Sequence, residues 1–135
     1  MTIAEKIAFI ENRCFSDPWS VKSVETQLSS AQTICIIVEE NSTVMGFALG
    51  TEVCGEAELY RIAVLDEHRR KGIGERLMNE FLSECQKRKA EKVFLEVRSR
   101  NLPAITLYKK SGFEEISVRK HYYNDDDAVI FAKNL

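Results

Sequence analysis

Hydrophobic positions along the chain recur at two periods, and the switches between them mark out helices and strands. Ile3, Ile7, Ile10 and Cys14 fall at helical spacing behind Thr2 and Glu5, which have capping-box spacing, so a helix is predicted over about residues 3–14. The connector Phe15-Ser16-Asp17-Pro18-Trp19-Ser20 follows, and Ser20 is suited to cap a second helix presenting Val21, Val24 and Leu28. Residues 33–40 (TICIIVEE) read as a buried strand, Asn41-Ser42 as a turn, and residues 44–50 as the returning strand of an antiparallel hairpin. Gly46 and Gly50 weaken that strand and point to a bulge or a close backbone approach.

Cys54-Gly55 breaks the chain before residues 58–64, where Tyr60, Ile62 and Val64 alternate with Leu59, Arg61 and Ala63 as in a strand. A polar connector over 65–71 leads to a long helix ending near Lys89, with Ile73, Leu77, Met78, Phe81, Leu82 and Cys85 on one face. Residues 92–97 form a strand with Val93, Leu95 and Val97 on one side and Phe94, Glu96 and then Arg98 on the other. After a polar turn, a short helix over about 102–111 carries Pro103 in its first turn and stops at Gly112. Residues 113–122 and 127–133 pair across Asn124-Asp125-Asp126. The order ααββ, β-turn-α, βα, ββ predicts an α/β (α+β) fold: a mixed, largely antiparallel sheet with one local parallel crossover and flanking helices.

Composition narrows the partners more than the fold. The 135 residues are expected to form a single domain, 1–135, with one core. A hydrophobic content of 44% against 30% charged residues argues against disorder, and a net charge of −2 argues against direct nucleic-acid binding. No apolar run approaches a membrane span, so no membrane partner is expected. Cys14, Cys35, Cys54 and Cys85 are widely spaced, without a C-x-x-C pair or a Cys/His cluster. They read as reduced, mostly buried thiols of a cytoplasmic protein, with no metal site.

The strongest local signal for chemistry is where the connector meets the long helix. Arg69, Arg70 and Lys71 precede Gly72, Ile73, Gly74 and Glu75. A helix start has unpaired N–H groups and partial positive charge, and glycines there let a phosphate approach. The segment lacks the Gly-Lys-Ser/Thr ending of a P-loop and the third glycine of a dinucleotide fingerprint, so an ordinary basic turn reads equally well from this stretch alone. Glu96 and Arg98 share a strand face, where a salt bridge is the plain alternative to catalysis. Tyr108 is equally a buried helix aromatic, and Trp19 either a substrate contact or a staple pinning its loop. Asp125, Asp126 and Asp127 suit a solvated turn, and His68 and His121 the surface.

Taken together, Arg69-x-x-Gly72-x-Gly74, Glu96, Asn101 and the later Leu107-Tyr108-x-x-x-Gly112-Phe113 resemble the Gcn5-related N-acetyltransferase (GNAT) superfamily over nearly the whole chain. Pro18-Trp19-Ser20, the run from Leu95 to Ala104, and Arg119-x-x-Tyr122-Tyr123 are similar to its branch of ribosomal-protein N-terminal alanine acetyltransferases. The chain enters almost directly into the first helix, so the fold implied lacks the family's usual first strand. The resemblance implies acetyl-CoA as cosubstrate and a protein N-terminus as acceptor, that of ribosomal protein S-eighteen of the small subunit. Ile62, Ala63 and Val64 would hold the pantetheine arm and acetyl group through their backbone, and the segment Arg69, Arg70, Lys71, Gly72, Ile73, Gly74 and Glu75 would hold the pyrophosphate. Asn101 would bind the cosubstrate from across the cleft, Glu96 would be the general base and Tyr108 the general acid. Tyr122 and Tyr123 would line the acceptor groove, although adjacent strand tyrosines also commonly cover a core edge. Two other functions share these residues: a small-molecule amine acetyltransferase, and a non-catalytic acyl-CoA sensor.

Overall fold

A computed structural model describes residues 1–135. Helices α1 (Ile3–Cys14) and α2 (Val21–Leu28) precede strands β1 (Thr33–Glu40), β2 (Thr43–Val53) and β3 (Glu56–Val64). A 3-10 turn (Asp66–His68), α3 (Ile73–Lys87), β4 (Lys92–Arg98), α4 (Leu102–Lys110), β5 (Glu114–Tyr123) and β6 (Asp126–Asn134) follow. Local chemistry explains the boundaries. Thr2 and Glu5 form the reciprocal capping box of α1, Ser20 accepts from Ser23 N–H at the start of α2, and Asn101 caps α4. The strand ends lie within three residues of their sequence limits, and β1 keeps both of its own.

The six strands lie in the order β1-β2-β3-β4-β6-β5, antiparallel except for β3 and β4, which the α3 crossover makes parallel. One face is covered by α1 and α2 around Ile7, Ile10, Val24, Phe47 and Leu49. The other is covered by α3 and α4 around Leu59, Leu77, Met78, Phe81, Leu95 and Phe131.

Two irregularities shape the middle of the sheet. The β2–β3 register shifts between Leu49 and Gly50, leaving Tyr60 unmatched. The parallel β3–β4 ladder ends at Leu59 and Leu95, so the two strands part from there on. Gly50 sits at the bulge because a Cβ there would lie 2.1 Å from the Glu58 carbonyl oxygen and 2.8 Å from the Phe81 ring. Gly50→Ala is therefore expected to destabilise the protein by about 1–3 kcal/mol through overpacking, read as a lower urea midpoint at unchanged m-value. An unchanged midpoint would mean that β2 and β3 can separate at no cost.

No helix is long and apolar enough to cross a membrane. The four cysteines are free; Cys85 is buried, Cys14 and Cys35 are half-buried, and Cys54 is exposed.

Candidate active site

The site begins where β3 and β4 separate. Leu65 N–H donates to the Met45 carbonyl at 2.9 Å, and Ala63 pairs with Phe47. Alternation along that antiparallel ladder turns the peptide groups of Ala63 toward β2 and those of Ile62 and Val64 away from it, into the opening. Of the three residues expected to offer backbone groups, Ile62 and Val64 face the opening while Ala63 bonds within the sheet. The Val64 carbonyl accepts from Arg69 Nε at 3.1 Å.

Beyond the 3-10 turn, Arg70 (φ 65°) and Gly72 (φ 76°) are both left-handed, and Gly72 caps α3 with no side-chain hydrogen bond. The N–H groups of the first α3 turn, through Glu75, are thus left for a ligand; Arg76 N–H already bonds Gly72 O at 3.1 Å. Left-handed backbone explains glycine at 72. At 74 a Cβ would meet only Leu107 at an ordinary 3.6 Å, so packing within the chain does not demand glycine there. The open helix start, its positive end and the absent Cβ together fit a pyrophosphate. The cations divide: Arg69 braces the turn through Val64 and Asp66, Arg70 and Lys71 are exposed without an ion pair, and Glu75 is paired with Lys110 of α4. Asn101 lies at the start of α4, where its Oδ1 accepts from Ala104 N–H at 3.2 Å and its amide nitrogen stays free.

Tyr108 belongs to the core on the α3/α4 face of the sheet. It is 6% exposed and packs against Phe113 and Phe131. Burial raises its pKa well above the ordinary phenol value, with the nearby Tyr123 adding to the effect. The phenol is neutral throughout the working pH range.

On the opposite face, Glu58, Tyr60, Arg61, Glu96, Tyr122, Tyr123 and residues of the α1–α2 connector line an open cleft of about 390 Å³. Arg119 of β5 binds Glu96 at 3.4 Å. The Glu96–Arg98 pair allowed by spacing does not form: Arg98 binds Asp125 and lies 4.1 Å from the centre of the Tyr123 ring. Tyr122 and Tyr123 meet edge to face at 5.2 Å. An adjoining cleft of about 430 Å³ along α2 shares Trp19 and Gln27 with the first, making one trough.

A fully buried glutamate supports this wall. Glu11 of α1 accepts from Trp19 N–H at 2.9 Å and lies 3.4 Å from Arg61 Nε. Arg61 also donates to the Asp17 carbonyl at 3.0 Å and faces the Phe15 ring at 4.1 Å. Trp19 is thus both pinned to the core and part of the cleft wall. The acidic turn also differs from a simple solvated one. Asp126 is buried, accepting from the Ser99 hydroxyl and Arg100 N–H, and Asp127 accepts from His121 N–H. His68 is half-buried with its Nδ1 unpartnered, whereas His121 is exposed. No group of three or more His, Cys, Asp or Glu side chains is arranged to hold a metal.

A profile described as the "Acetyltransferase (GNAT) family" matches residues 4–113. The chain belongs to the GNAT acetyltransferase family. It is therefore an acetyl-CoA-dependent N-acetyltransferase, and the parted strands, helix start and flanking helices are the GNAT fold. The chain is 34% identical over 127 residues, 91% of its length and 85% of the relative's, to the [ribosomal protein bS18]-alanine N-acetyltransferase of Escherichia coli K12. Its structure superposes on the crystal structure of the Escherichia coli enzyme with a TM-score of 0.90 at 32% identity, covering 97% of this chain and 86% of the other. Ard1 from Thermoplasma volcanium gives 0.89 at 27% identity, covering 98% and 90%.

The GNAT motifs mark the turn and helix start whose backbone geometry fits a pyrophosphate. Glu58, Arg61 and Glu11 are not among the residues the motifs mark, and Arg119 enters only through Arg119-x-x-Tyr122-Tyr123. Their only signal in the sequence is a carboxylate inside an apolar helix face (Glu11) and charges on otherwise alternating strands, which any solvated strand also shows.

Proposed function

We propose that this GNAT enzyme, acting as a single domain, transfers the acetyl group of acetyl-CoA to the N-terminal alanine of a small-subunit ribosomal protein, bS18 being the favoured acceptor. The observation that carries the reading is Glu96 in the wall of an open trough where β3 and β4 part, with Tyr108 in the core on the other face of the sheet. The similarity to bS18-alanine N-acetyltransferases over most of the chain supports the choice of acceptor. An open trough suits an extended protein N-terminus better than a compact amine.

In this reading Ile62 and Val64 hold the pantetheine and acetyl carbonyl, and donors on the strand stabilise the oxyanion as the amine attacks. Backbone N–H groups from Gly72 to Glu75 hold the pyrophosphate, aided by the charges of Arg70 and Lys71, and Asn101 contributes its free amide. Arg69 helps through the turn it braces. Glu96 is the general base and Tyr108 the general acid, donating to sulfur as the C–S bond breaks. Because the buried phenol outranks a thiol in pKa, its proton is shared with sulfur in the transition state rather than surrendered ahead of it. Tyr122 and Tyr123 form the side of the trough that positions the first acceptor residues. The carboxylates of the acidic turn are bonded within the protein, which leaves recognition to these rings.

An α-amine is about 2.5 pKa units below a lysine side chain, so roughly 300 times more of it is free base at neutral pH. A lone carboxylate base has correspondingly less to do on an N-terminus. The test is acetyl-CoA with a panel of alanine-starting peptides, internal-lysine peptides and polyamines, with products mapped by mass spectrometry. The expected product is α-acetylated alanine. Acetylation confined to lysine side chains or polyamines would overturn the acceptor, and acetyl-CoA binding without turnover on any of them would favour a sensor.

A further inference from the structure

We propose that the free edge of β1 is a self-association site, where two copies of this chain pair their β1 strands antiparallel about a twofold axis at Ile37 and join their sheets into one. This edge is separate from the Glu96 cleft and does not depend on which acceptor is used.

β1 is one of the two outer strands of the sheet. Gln32 O accepts from Glu52 N–H at 2.9 Å. Alternation along the β1–β2 ladder then bonds Ile34, Ile36 and Val38 to β2 and turns the peptide groups of Cys35, Ile37 and Glu39 outward. At Thr33 the outward groups are taken: its N–H donates to Ser30 O at 3.2 Å, and its carbonyl accepts from Arg88 Nη2 at 3.0 Å. No strand lies beyond β1 to do the same for Cys35, Ile37 and Glu39.

The two outer edges differ in how they are protected. β5 is blunted, because its pairing with β6 breaks twice and Arg119 and Lys120 lie along it. β1 holds no proline, lysine or arginine, and the one shift in its ladder puts the extra residue, Met45, on β2. Cys35, Ile36 and Ile37 stay half-buried although helices cover both faces of the sheet. A regular apolar edge of this kind is a template for another strand.

A second copy fits because β1 and its flanks are complementary to themselves when reversed. Pairing centred on Ile37 sets Cys35 against the partner's Glu39 and Ile37 against the partner's Ile37, so every outward peptide group of the three residues finds a partner. It also sets Ile36 against the partner's Val38, an apolar pair on the α3 face. The charges follow the same reversal. Lys6 binds Glu39 and leaves Glu40 exposed without an ion pair, on the α3 face by alternation with Ile36 and Val38. The opposite end of β1 is basic: Arg88, at the end of α3, donates to the Ala31 and Thr33 carbonyls, and Lys87 and Lys89 beside it are exposed. The twofold brings the acidic end of each β1 beside the basic end of the other.

Sedimentation equilibrium of the full chain should show the mass rising from one chain to two between about 1 and 500 µM. Hydrogen exchange at the concentrated end should slow the Cys35, Ile37 and Glu39 amides by roughly tenfold or more relative to the dilute end. Glu40→Lys, at an exposed position, should raise the dissociation constant by roughly tenfold at low salt, since two symmetric attractions become repulsions, and by less at about 1 M salt. Ile37→Pro removes an N–H that bonds nothing within one chain, and it should melt cooperatively as a monomer at every concentration. A wild type that stays monomeric throughout overturns the proposal. So does a dimer whose Cys35 and Ile37 amides exchange as freely as in the monomer, a Glu40→Lys dimer as tight as wild type at low salt, or a folded Ile37→Pro variant that still dimerises.

Discussion

Tyr108→Phe is expected to lower kcat by about 10²–10⁴-fold while the melting temperature stays near that of wild type, because the substitution removes a proton donor and almost no packing. The ring of residue 108 makes tilted contacts with Phe113 and Phe131 at 6.1 and 6.2 Å, and a phenylalanine ring keeps both. Burial holds the tyrosine phenol neutral, so it is a donor at every working pH and the loss should not depend on pH. Steady-state release of free thiol against acetyl-CoA concentration is the measurement, with a thermal melt as control for folding. The KM for acetyl-CoA should change little, since the hydroxyl acts on sulfur only as the C–S bond breaks. A kcat within a factor of two of wild type, with an intact melt, would remove Tyr108 from the chemistry and leave it as a core aromatic.

Removing the Glu11 carboxylate should cost stability rather than chemistry. Glu11→Ala leaves Trp19 N–H and the mostly buried Arg61 without their shared partner, and breaking a buried pair from one side costs about 3–5 kcal/mol. The bonds from Arg61 to the Asp17 carbonyl and its contact with Phe15 place the loss at the lower end, roughly 10 °C in melting temperature. Glu11→Gln keeps an acceptor for Trp19 N–H and should cost less at neutral pH. The pH dependence separates the two effects. Burial raises the Glu11 pKa above the ordinary 4.5, against the pull of Trp19 N–H and Arg61. The folded protein therefore binds this proton more tightly than the unfolded chain, and the stability it gives is complete below 4.5 and lost as pH rises through the raised value. Wild type should gain on Glu11→Gln as the pH is lowered through that window. A constant difference between them at all pH would show that the carboxyl titrates alike in both states. Since Trp19 and Arg61 line the cleft proposed for the acceptor, Glu11→Ala should also raise the KM for peptide more than the KM for acetyl-CoA.

The open helix start proposed for the cosubstrate was legible in the sequence because the groups that build it are neighbours along the chain. Gly72 with a left-handed φ, the uncapped start of α3 and the exposed Arg70 and Lys71 all lie within a few residues of one another. Helix ends were legible for the same reason: Thr2 with Glu5, Ser20 with Ser23 and Asn101 with Ala104 bond three residues apart. Other expectations shifted on folding. Arg69 turns back onto Val64 and Asp66 to brace the turn, and Glu96 takes Arg119 rather than Arg98 because β5 lies beyond β6 and bends its cation over the cleft. Asp126 turns inward because Ser99 and Arg100 offer it two donors that no local spacing announces.

By itself the sequence determined the order and kind of the elements, the parallel crossover and the open glycine-marked start of α3, since alternation, caps and glycine conformations are decided by contacts a few residues apart. Only the tertiary structure assembled the cleft proposed for the acceptor. Glu11, Glu58, Arg61, Glu96 and Arg119 come from α1, β3, β4 and β5, and they meet only through the order of strands, the bulge at Gly50 and the parting of β3 from β4 at Leu59. Desolvation there, together with the charge of Glu96, raises the Glu58 carboxyl pKa against the pull of Arg119. That environment does not exist until the sheet has formed.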